Sequence, residues 1–396
     1  MLTTLRSPFR VFFCLLVLMS ALTALYLSTQ IQARAEGIPA STTQANWPQW
    51  EYDAAHSGFN PNEKTLSPSN ISQLTLDWEF TSKASFVSSP IVANGVVYFM
   101  EGQYLYGRDA LTGARKMTKL VSNNFPEFTT LSFSNGLLYI GISTGLMAIN
   151  PATSRIIWQY SGTVSSAAVV AGNFVYFIGG TSGKFTLYAL NVASGSLQWS
   201  YTYTQQGVAT PAVANGIVYL TAGNSLYALN AATGAVQWTY TIQSGGISSP
   251  AIVNGTVYCY CGVGLAALDA ATGTLKWNNT KIIYGSSPLA IAGGVIYAGL
   301  QSGTVDAIFA GNGKIKWTAP IGTSTIPSLS VANGVLYTSA KNNLFAIDAS
   351  TGSLLFQQSL GSLYRGTSIT SPAIVNGIVY ITTVNDWTLY AFHLPS

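Results

Sequence analysis

The sequence predicts an all-β fold, an eight-bladed β-propeller whose blades are four-stranded antiparallel sheets. The stretch from Ser248 to Trp277 is one complete repeat, in which short apolar runs alternate with Asn-Gly and Thr-Gly pairs. These runs are too short for helices, and the Gly pairs supply the positive backbone angles of tight hairpins. The tyrosine that ends the second run recurs at nearly constant spacing, which indicates eight blades. These tyrosines are Tyr98, Tyr139, Tyr176, Tyr219, Tyr258, Tyr297, Tyr337 and Tyr380.

A large aromatic side chain marks the fourth strand of most repeats. A single four-stranded sheet cannot bury both faces, so the blades stack around an axis and each sheet covers the next. We therefore expect the closing side chains to pack between neighbouring blades. They are Trp158, Trp199, Trp238, Trp277 and Trp317, with Met117 and Phe356 in the same register near the two ends.

The N-terminal residues 1–35 have the features of an export signal. Arg6 and Arg10 precede an apolar run from Val11 to Leu27, and a small-residue cleavage site follows at residues 33–35. The run is also near the lower length limit of a spanning helix, so an uncleaved membrane anchor is the alternative. Residues 36–46 are an aperiodic linker, and residues 47–396 form the propeller. Both interpretations place the propeller outside the cytoplasm, as a secreted, cell-surface or periplasmic domain.

A strand near the N-terminus matches the closing position of a blade. Trp78 precedes Met117 by the interval that separates Trp238 from Trp277, whereas the last repeat stops after its third strand. We therefore expect the N-terminal strand to complete the last blade and to close the ring without a covalent link. Closure of this kind removes the open sheet edges that a linear array would expose.

The composition fits an exported, densely packed β protein. Charged residues are 8% of the chain and aromatic residues are 12%. Without the three arginines of the leader, fourteen basic residues stand against thirteen acidic residues. This balance argues against a nucleic-acid partner. We expect a monomer that meets a membrane only through its N-terminal segment.

Two of the three cysteines, Cys259 and Cys261, alternate along one predicted strand. Their side chains point to the same face. Residues two apart on a strand are nearly 7 Å apart, farther than a disulfide prefers. We therefore expect two buried free thiols, with a strained bridge as the alternative.

The repeat resembles the tryptophan-docking motif of the quinoprotein alcohol dehydrogenase-like superfamily of eight-bladed propellers. The pattern Asp-Ala-x-Thr-Gly-x-x-x-Trp is complete from Asp269 to Trp277. The stretch from Trp50 to Trp78 is also similar to the N-terminal segment of that superfamily. The resemblance covers residues 46–396 and implies that each tryptophan docks near the Gly turn of the next blade, Trp78 included. The superfamily also contains non-enzymatic PQQ-like repeat proteins, among them the propeller of the bacterial outer-membrane assembly machinery.

The resemblance implies two classes of function. The dehydrogenases hold pyrroloquinoline quinone (PQQ) with calcium or a similar divalent metal ion, and many place a disulfide between adjacent cysteines against the quinone. This chain has no adjacent cysteine pair, and its acids outside turn positions are scattered over different blades. We therefore expect no catalytic residue, no metal ligand and no bound cofactor. These scattered acids are Glu101, Glu127, Asp306 and Asp386.

The remaining polar residues give no catalytic pattern. His56 and His393 have no nearby Cys or acid at metal-ligand spacing, and we expect both to be ordinary polar surface residues. Asp77 and Glu79 flank Trp78, and we expect both to be solvated. Asp in the column before Thr-Gly caps a tight turn.

The two faces of the predicted ring differ in variability. Turns between first and second strands and between third and fourth strands repeat Asn-Gly and Thr-Gly, which makes one face, the uniform face, monotonous. The opposite face, the variable face, carries the second-to-third loops and the blade-to-blade loops, which differ between repeats. Exposed aromatic and Arg residues there are typical interface anchors. The candidate binding residues are Glu101, Phe125, Glu127, Phe128, Lys184, Lys341, Tyr364, Arg365, Asp386 and Trp387.

These observations predict an exported, non-catalytic propeller. We expect it to act as a scaffold that binds a protein, a peptide or another cell-envelope ligand on the variable face. The alternative is a PQQ-dependent oxidoreductase that uses a divalent metal ion. Fold alone does not separate the two, because one fold hosts many functions.

Overall fold

The structure, a computed structural model, describes residues 46–395 except 83–87, 123–129, 143, 182, 205–207, 243–247, 261–263, 283–286, 323–327, 341–342, 362–369 and 384–386. Within these residues the chain forms eight β-sheets and one short 3-10 helix, Ile71–Gln73. The eight-bladed propeller is confirmed. No helix in this part of the chain is long and apolar enough to cross a membrane.

Two strands precede the first complete hairpin of the ring. The short strand β1 (Phe59–Asn60) pairs in parallel with the inner strand of blade 7. The longer strand β2 (Thr75–Thr81) belongs to blade 8. The chain therefore contributes one strand to blade 7 and one to blade 8 before it forms blade 1.

The first four blades follow in chain order, each running from the axis outwards. They are β3 (Ile91–Ala93), β4 (Val96–Glu101), β5 (Tyr104–Asp109) and β6 (Arg115–Leu120); β7 (Leu131–Ser134), β8 (Leu137–Ile142), β9 (Gly145–Asn150) and β10 (Arg155–Ser161); β11 (Val169–Ala171), β12 (Phe174–Thr181), β13 (Lys184–Asn191) and β14 (Leu197–Tyr203); and β15 (Ala212–Ala214), β16 (Ile217–Ala222), β17 (Ser225–Asn230) and β18 (Val236–Thr241).

Blades 5 to 8 repeat the pattern until the last blade, which lacks a fourth strand of its own. They are β19 (Ala251–Val253), β20 (Thr256–Tyr260), β21 (Leu265–Asp269) and β22 (Leu275–Asn279); β23 (Ala290–Ala292), β24 (Val295–Gly299), β25 (Thr304–Phe309) and β26 (Ile315–Pro320); β27 (Leu329–Ala332), β28 (Val335–Ala340), β29 (Asn343–Asp348) and β30 (Leu354–Ser359); and β31 (Ala373–Val375), β32 (Ile378–Thr383) and β33 (Thr388–His393).

The N-terminal strand closes the ring as predicted. Strand β2 pairs antiparallel with β33, the last strand of the chain, and Trp78 lies opposite Ala391. Cross-strand pairing continues to Thr81 opposite Thr388, whose hydroxyls lie 2.9 Å apart. Backbone hydrogen bonds therefore complete blade 8, and no covalent link joins its outer strand to the rest of the blade.

Each docking tryptophan donates its indole N–H to a backbone carbonyl of the next blade. The tyrosine of the same blade donates to the same oxygen, so Tyr139 and Trp158 share the carbonyl of Val192 at 3.2 and 3.1 Å. The closure junction has the same arrangement, because Tyr380 and Trp78 share the carbonyl of Ala110. The predicted docking near the Gly turn is confirmed for Trp78, Trp158, Trp199, Trp238, Trp277 and Trp317.

The two repeats without a docking tryptophan differ from this pattern. Phe356 takes the tryptophan position in blade 7, and the hydroxyl of Tyr337 in that blade has no partner among the described residues. Met117 takes it in blade 1, and the following blade has Ser154 where the others have Gly. The loss of the indole therefore coincides with a change in the turn that would receive it.

Candidate functional site

Three of the predicted binding residues lie within the described part of the chain, on blades 1, 3 and 8. Glu101 ends β4 and is buried, with 1% of its surface exposed. Lys184 begins β13 and is exposed, and Trp387 precedes β33, half-buried, with φ of +51°. The backbone carbonyl of Trp387 accepts a hydrogen bond from Ser82 N–H. Glu101 is thus an interior residue of this face, whereas Lys184 presents its charge to solvent.

The other candidate binding residues lie outside the described residues. Their grouping on one face therefore stays a prediction. They are Phe125, Glu127, Phe128, Lys341, Tyr364, Arg365 and Asp386.

Residues 46–63, hereafter the axial segment, contact the inner strand of every blade. Inner strands would otherwise leave open edges around the axis, and the segment satisfies part of that edge. In blade order, the hydrogen bonds run from Trp47 N–H to Val92 O, Phe133 N–H to Pro48 O, Val170 N–H to Gln49 Oε1, Val213 N–H to Ala54 O, Ile252 N–H to Ala55 O, Ile291 N–H to Ser57 O, Val331 N–H to Gly58 O and Asn60 Nδ2 to Ile374 O.

Glu51 is a buried carboxyl in the middle of the axial segment. Its Oε1 accepts a hydrogen bond from Ser371 Oγ at 3.3 Å, and its Oε2 has no partner among the described residues. Burial raises the pKa of Glu51 to about 8, against the lowering effect of hydrogen bonds from Ser328 and Ser371. The Asp53 carboxylate raises this pKa further. At neutral pH the Glu51 side chain is therefore mainly a neutral carboxylic acid.

His56 is a buried neutral imidazole on the same segment. Its Nδ1 donates to the carbonyl of Pro250 at 3.2 Å, which leaves Nε2 unprotonated and without a partner among the described residues. Burial lowers the pKa of His56 to about 4. Its ring meets the edge of Trp50 at 5.0 Å between centroids. The sequence-based expectation of a surface histidine is wrong, since only 2% of His56 is exposed.

The backbone that carries these two side chains adopts unusual angles. Glu51, Tyr52 and His56 have φ of +56°, +73° and +57°, a region that non-glycine residues seldom occupy. Asp53 holds the loop, because its carboxylate accepts hydrogen bonds from Ala55 N–H, Ser57 N–H and the Ser57 hydroxyl. Left-handed residues cost about 1–3 kcal/mol each and persist where the surroundings impose them. Here the hydrogen bonds to all eight blades impose them.

The axial residues do not fit a calcium-type cation site. Calcium takes six to eight oxygen ligands, usually from several carboxylates. Among the described residues no group of three or more His, Cys, Asp or Glu side chains lies close enough to hold a metal ion. Asp53 already caps the loop, and the free Oε2 of Glu51 is enclosed by protein. Glu51 is therefore protonated at neutral pH. The described axial residues do not provide the oxygen ligands that the metal ion beside PQQ requires.

The closure junction corrects a second expectation. Asp77 lies with Oδ2 3.3 Å from His393 Nε2, and only 2% of the Asp77 side chain is exposed. Asp77 is therefore buried rather than solvated, whereas Glu79 on the same strand is exposed as expected. The pair joins β2 to the C-terminal end of β33. It adds a side-chain contact across the closure of the ring.

Cys259 also differs from its main prediction. The structure has Cys259 in a disulfide bond, so it is not a free thiol. The other two cysteines of the chain, Cys14 and Cys261, both lie outside the described residues.

The signals for Glu51 and His56 were present in the sequence but weak. Both lie in an aperiodic stretch rich in Gly, Asn and Trp, and its acids fall outside the repeats. Clustering of Trp47, Trp50 and Tyr52 in this stretch was the usable sign of burial, because such large side chains favour the interior.

The eight blades and their docking tryptophans define a PQQ-like β-propeller. The chain belongs to the outer membrane protein assembly factor BamB family, because the model of that family matches residues 64–185, 183–328 and 322–394. A search of curated proteins found no match.

Solved structures with the same fold come from both functional classes. BamB from Moraxella catarrhalis is 17% identical over 81% of this chain and 99% of its own, with a TM-score of 0.65. Quinohemoprotein alcohol dehydrogenase ADHIIG from Pseudomonas putida HK5 is 15% identical over 88% of this chain and 80% of its own, with a TM-score of 0.70. A europium-containing methanol dehydrogenase is 14% identical over 88% and 98%, with a TM-score of 0.69. At these identities the similarity concerns the fold alone.

Proposed function

We propose that this protein is a non-catalytic scaffold of the cell envelope that binds a partner protein, peptide or other envelope ligand through its variable face. The observation that carries the proposal is the axial segment. Its hydrogen bonds to all eight inner strands line the described part of the axis with the protein's own chain. Such an axis is a support for surface loops rather than a chamber for a cofactor.

Family membership supports the same function. The matching family model is described as an outer membrane protein assembly factor, a role that requires contacts with other proteins. The export features of residues 1–35 support an envelope location, either as a cleaved signal or as an anchor. A near-neutral body and a closed ring support a monomer.

One observation favours the alternative, a PQQ-dependent oxidoreductase. Glu51 is a buried axial carboxyl with a raised pKa, and perturbed acids are enriched at catalytic sites. The enclosed Oε2 and the missing ligand set count against it. We therefore place the scaffold first.

A capture experiment from native envelopes separates the two functions. Trp387→Ala and Lys184→Ala remove an aromatic side chain and an exposed charge from the variable face, while Asn215→Gly changes the uniform face and keeps the positive φ of its turn. We expect either variable-face change to weaken capture of one defined partner by about tenfold or more, as for interface anchors. The Asn215→Gly control should bind normally.

Two results would overturn the proposal. Normal binding by both variable-face variants, with loss in the Asn215→Gly control, would assign function to the other face. Stoichiometric uptake of added PQQ with Ca²⁺, accompanied by dye reduction, would establish the oxidoreductase.

A further inference from the structure

The outer strand of each blade leaves one edge open to solvent. In the described residues the strands β2, β6, β10, β14, β18, β22, β26 and β30 each have a single partner strand. An open edge with apolar side chains pairs readily with another strand, and proteins normally block it with charged residues. In this chain such residues lie directly before the docking position, which is the position of the tryptophan, Met117 or Phe356 in each outer strand.

Six blades carry a polar or charged residue at that position. It lies in the β-bulge of the outer strand, where the register with the third strand shifts. In five of these blades the residue is exposed at the open edge, whereas in blade 8 the side chain is buried against His393. The six residues are Asp77, Lys116, Gln198, Gln237, Lys276 and Lys316.

Blade 7 has an apolar residue there, but the chain covers it. Leu355 is partly buried and packs against the hydrophobic cluster that contains Leu66 and Ile71. These two residues follow the axial segment and are fully buried. Blade 7 therefore needs no charge at this position.

Blade 2 has neither a polar residue before its docking position nor a covering segment among the described residues. Ile156 and Ile157 are consecutive on β10 and expose 44% and 49% of their surface. Arg155 is exposed and is the only charged residue between positions 130 and 161. The turn before it has Asn150, as blades 3 and 4 have Asn191 and Asn230, and no acid lies between positions 130 and 161, so blade 2 offers Arg155 no acidic partner. The edge is apolar, open and positively charged at one end.

We propose that β10 is a docking edge that pairs with an extended segment of a partner protein. The segment adds as a fifth strand through backbone hydrogen bonds, as in other cases of strand addition. It carries aliphatic side chains at alternate positions against Ile156 and Ile157, and an acidic residue opposite Arg155. This surface is on the circumference of blade 2, separate from the variable face, so it goes beyond the proposed function.

A second copy of the chain fits this edge less well. Two copies paired on β10 would bring together two strands that each carry Arg155 and no acid. One strand edge with two exposed isoleucines also buries far less than the roughly 1,200 Å² or more of a stable interface. A flexible acidic segment avoids both problems. It supplies the negative charge that Arg155 lacks, and its reversible binding does not require the buried area of a stable dimer.

The test uses the full chain and a synthetic probe. The probe is a capped seven-residue peptide of alternating Val and Thr with Glu at both ends, and its control has Pro at the centre, which cannot complete the pairing. Amide hydrogen exchange is measured across residues 155–161. We expect the Val/Thr peptide, and not the Pro peptide, to slow exchange in β10.

Two variants make the result specific. Ile157→Lys introduces the residue that blades 1, 5 and 6 already carry at this position, so the fold is retained. We expect it to weaken peptide binding by about tenfold or more, a change of about 1.4 kcal/mol. Gln198→Lys makes the matched change in blade 3 and should leave binding unchanged.

Three outcomes would overturn the proposal. The first is the absence of protection in the wild-type protein. The second is equal loss of binding in both lysine variants. The third is a concentration-dependent dimer that Ile157→Lys abolishes, which would assign the edge to a second copy.

Discussion

Trp158 packs so closely on Gly195 that a Cβ at residue 195 would lie 2.5 Å from the indole ring. Gly195 also has φ of +70°, which suits glycine and strains other residues. The same contact recurs at the other tryptophans, including Trp78 on Gly113 across the closure. Docking of the tryptophan and the glycine turn are thus one interaction, repeated around the ring.

Substitution of Gly195 should be strongly destabilising. Gly195→Ala places a methyl group inside the contact distance of Trp158 and forces alanine into the left-handed region. We expect the free energy of unfolding to fall by about 2–4 kcal/mol, from overpacking and backbone strain together. Urea denaturation of the two proteins measures it.

Ser154 provides the matched control for this prediction. It occupies the same turn position with φ of +56°, and the preceding blade has Met117 in place of tryptophan. Ser154→Gly relieves the left-handed strain, so it should stabilise by about 1 kcal/mol. Equal effects of Gly195→Ala and Ser154→Ala would contradict the docking explanation.

Trp78 should matter more than its equivalents, because it lies on the strand that closes the ring. Trp78→Ala and Trp238→Ala each remove one indole and should cost about 3–5 kcal/mol locally. Of the strands that carry a docking tryptophan, only β2 is held by hydrogen bonds without a hairpin to its neighbour, so only the loss of Trp78 lets a strand detach. We expect Trp78→Ala to speed amide exchange in Thr388–His393. Trp238→Ala should leave the exchange of β17 slow, and similar exchange in both variants would argue against a weak closure.

The blades were predictable because their signals are local. The tyrosine column recurs in all eight blades, and the Asn-Gly turn and the docking tryptophan each recur in six, so a single interpretation is tested many times within one chain. The closing strand was found by the same register, through Trp78. A sequence repeat therefore predicts the fold of each blade, and it also shows which blade takes a strand from the other end of the chain.

The axial segment was not predictable by the same route. It has no repeat, and its structure depends on contacts with partners distant in sequence, such as Asn60 with Ile374. His56 was misjudged from its Gly-rich and Asn-rich neighbours, although burial is decided by the inner strands around it. Asp77 was misjudged because its partner, His393, lies at the other end of the chain.

His56 should weaken the fold at acid pH. Its pKa falls from 6.5 to about 4 on burial, so the folded state stays neutral while the unfolded chain gains a proton. Stability from this group therefore falls as pH drops from 6.5 to about 4, by up to about 1.4 kcal/mol per pH unit. His56→Asn keeps a donor for the carbonyl of Pro250 and removes the titration. Chemical denaturation between pH 4 and 7 should give a shallower acid slope for the variant, and equal slopes would mean that His56 is accessible to protons.

Glu51 should weaken the fold in the opposite direction. Its carboxyl has an ordinary pKa of 4.5, which burial raises to about 8, so the unfolded chain loses its proton first as pH rises. Stability from this group is full below pH 4.5 and falls between pH 4.5 and about 8, again by up to about 1.4 kcal/mol per pH unit. Above pH 8 both states are ionised and the loss ends. Glu51→Gln keeps an acceptor for the Ser371 hydroxyl and removes the proton, so its stability should stay level across this range. The measurement is urea denaturation of both proteins from pH 5 to 9. Parallel curves for the two proteins would show that Glu51 is ionised in the folded state and that the axis admits water.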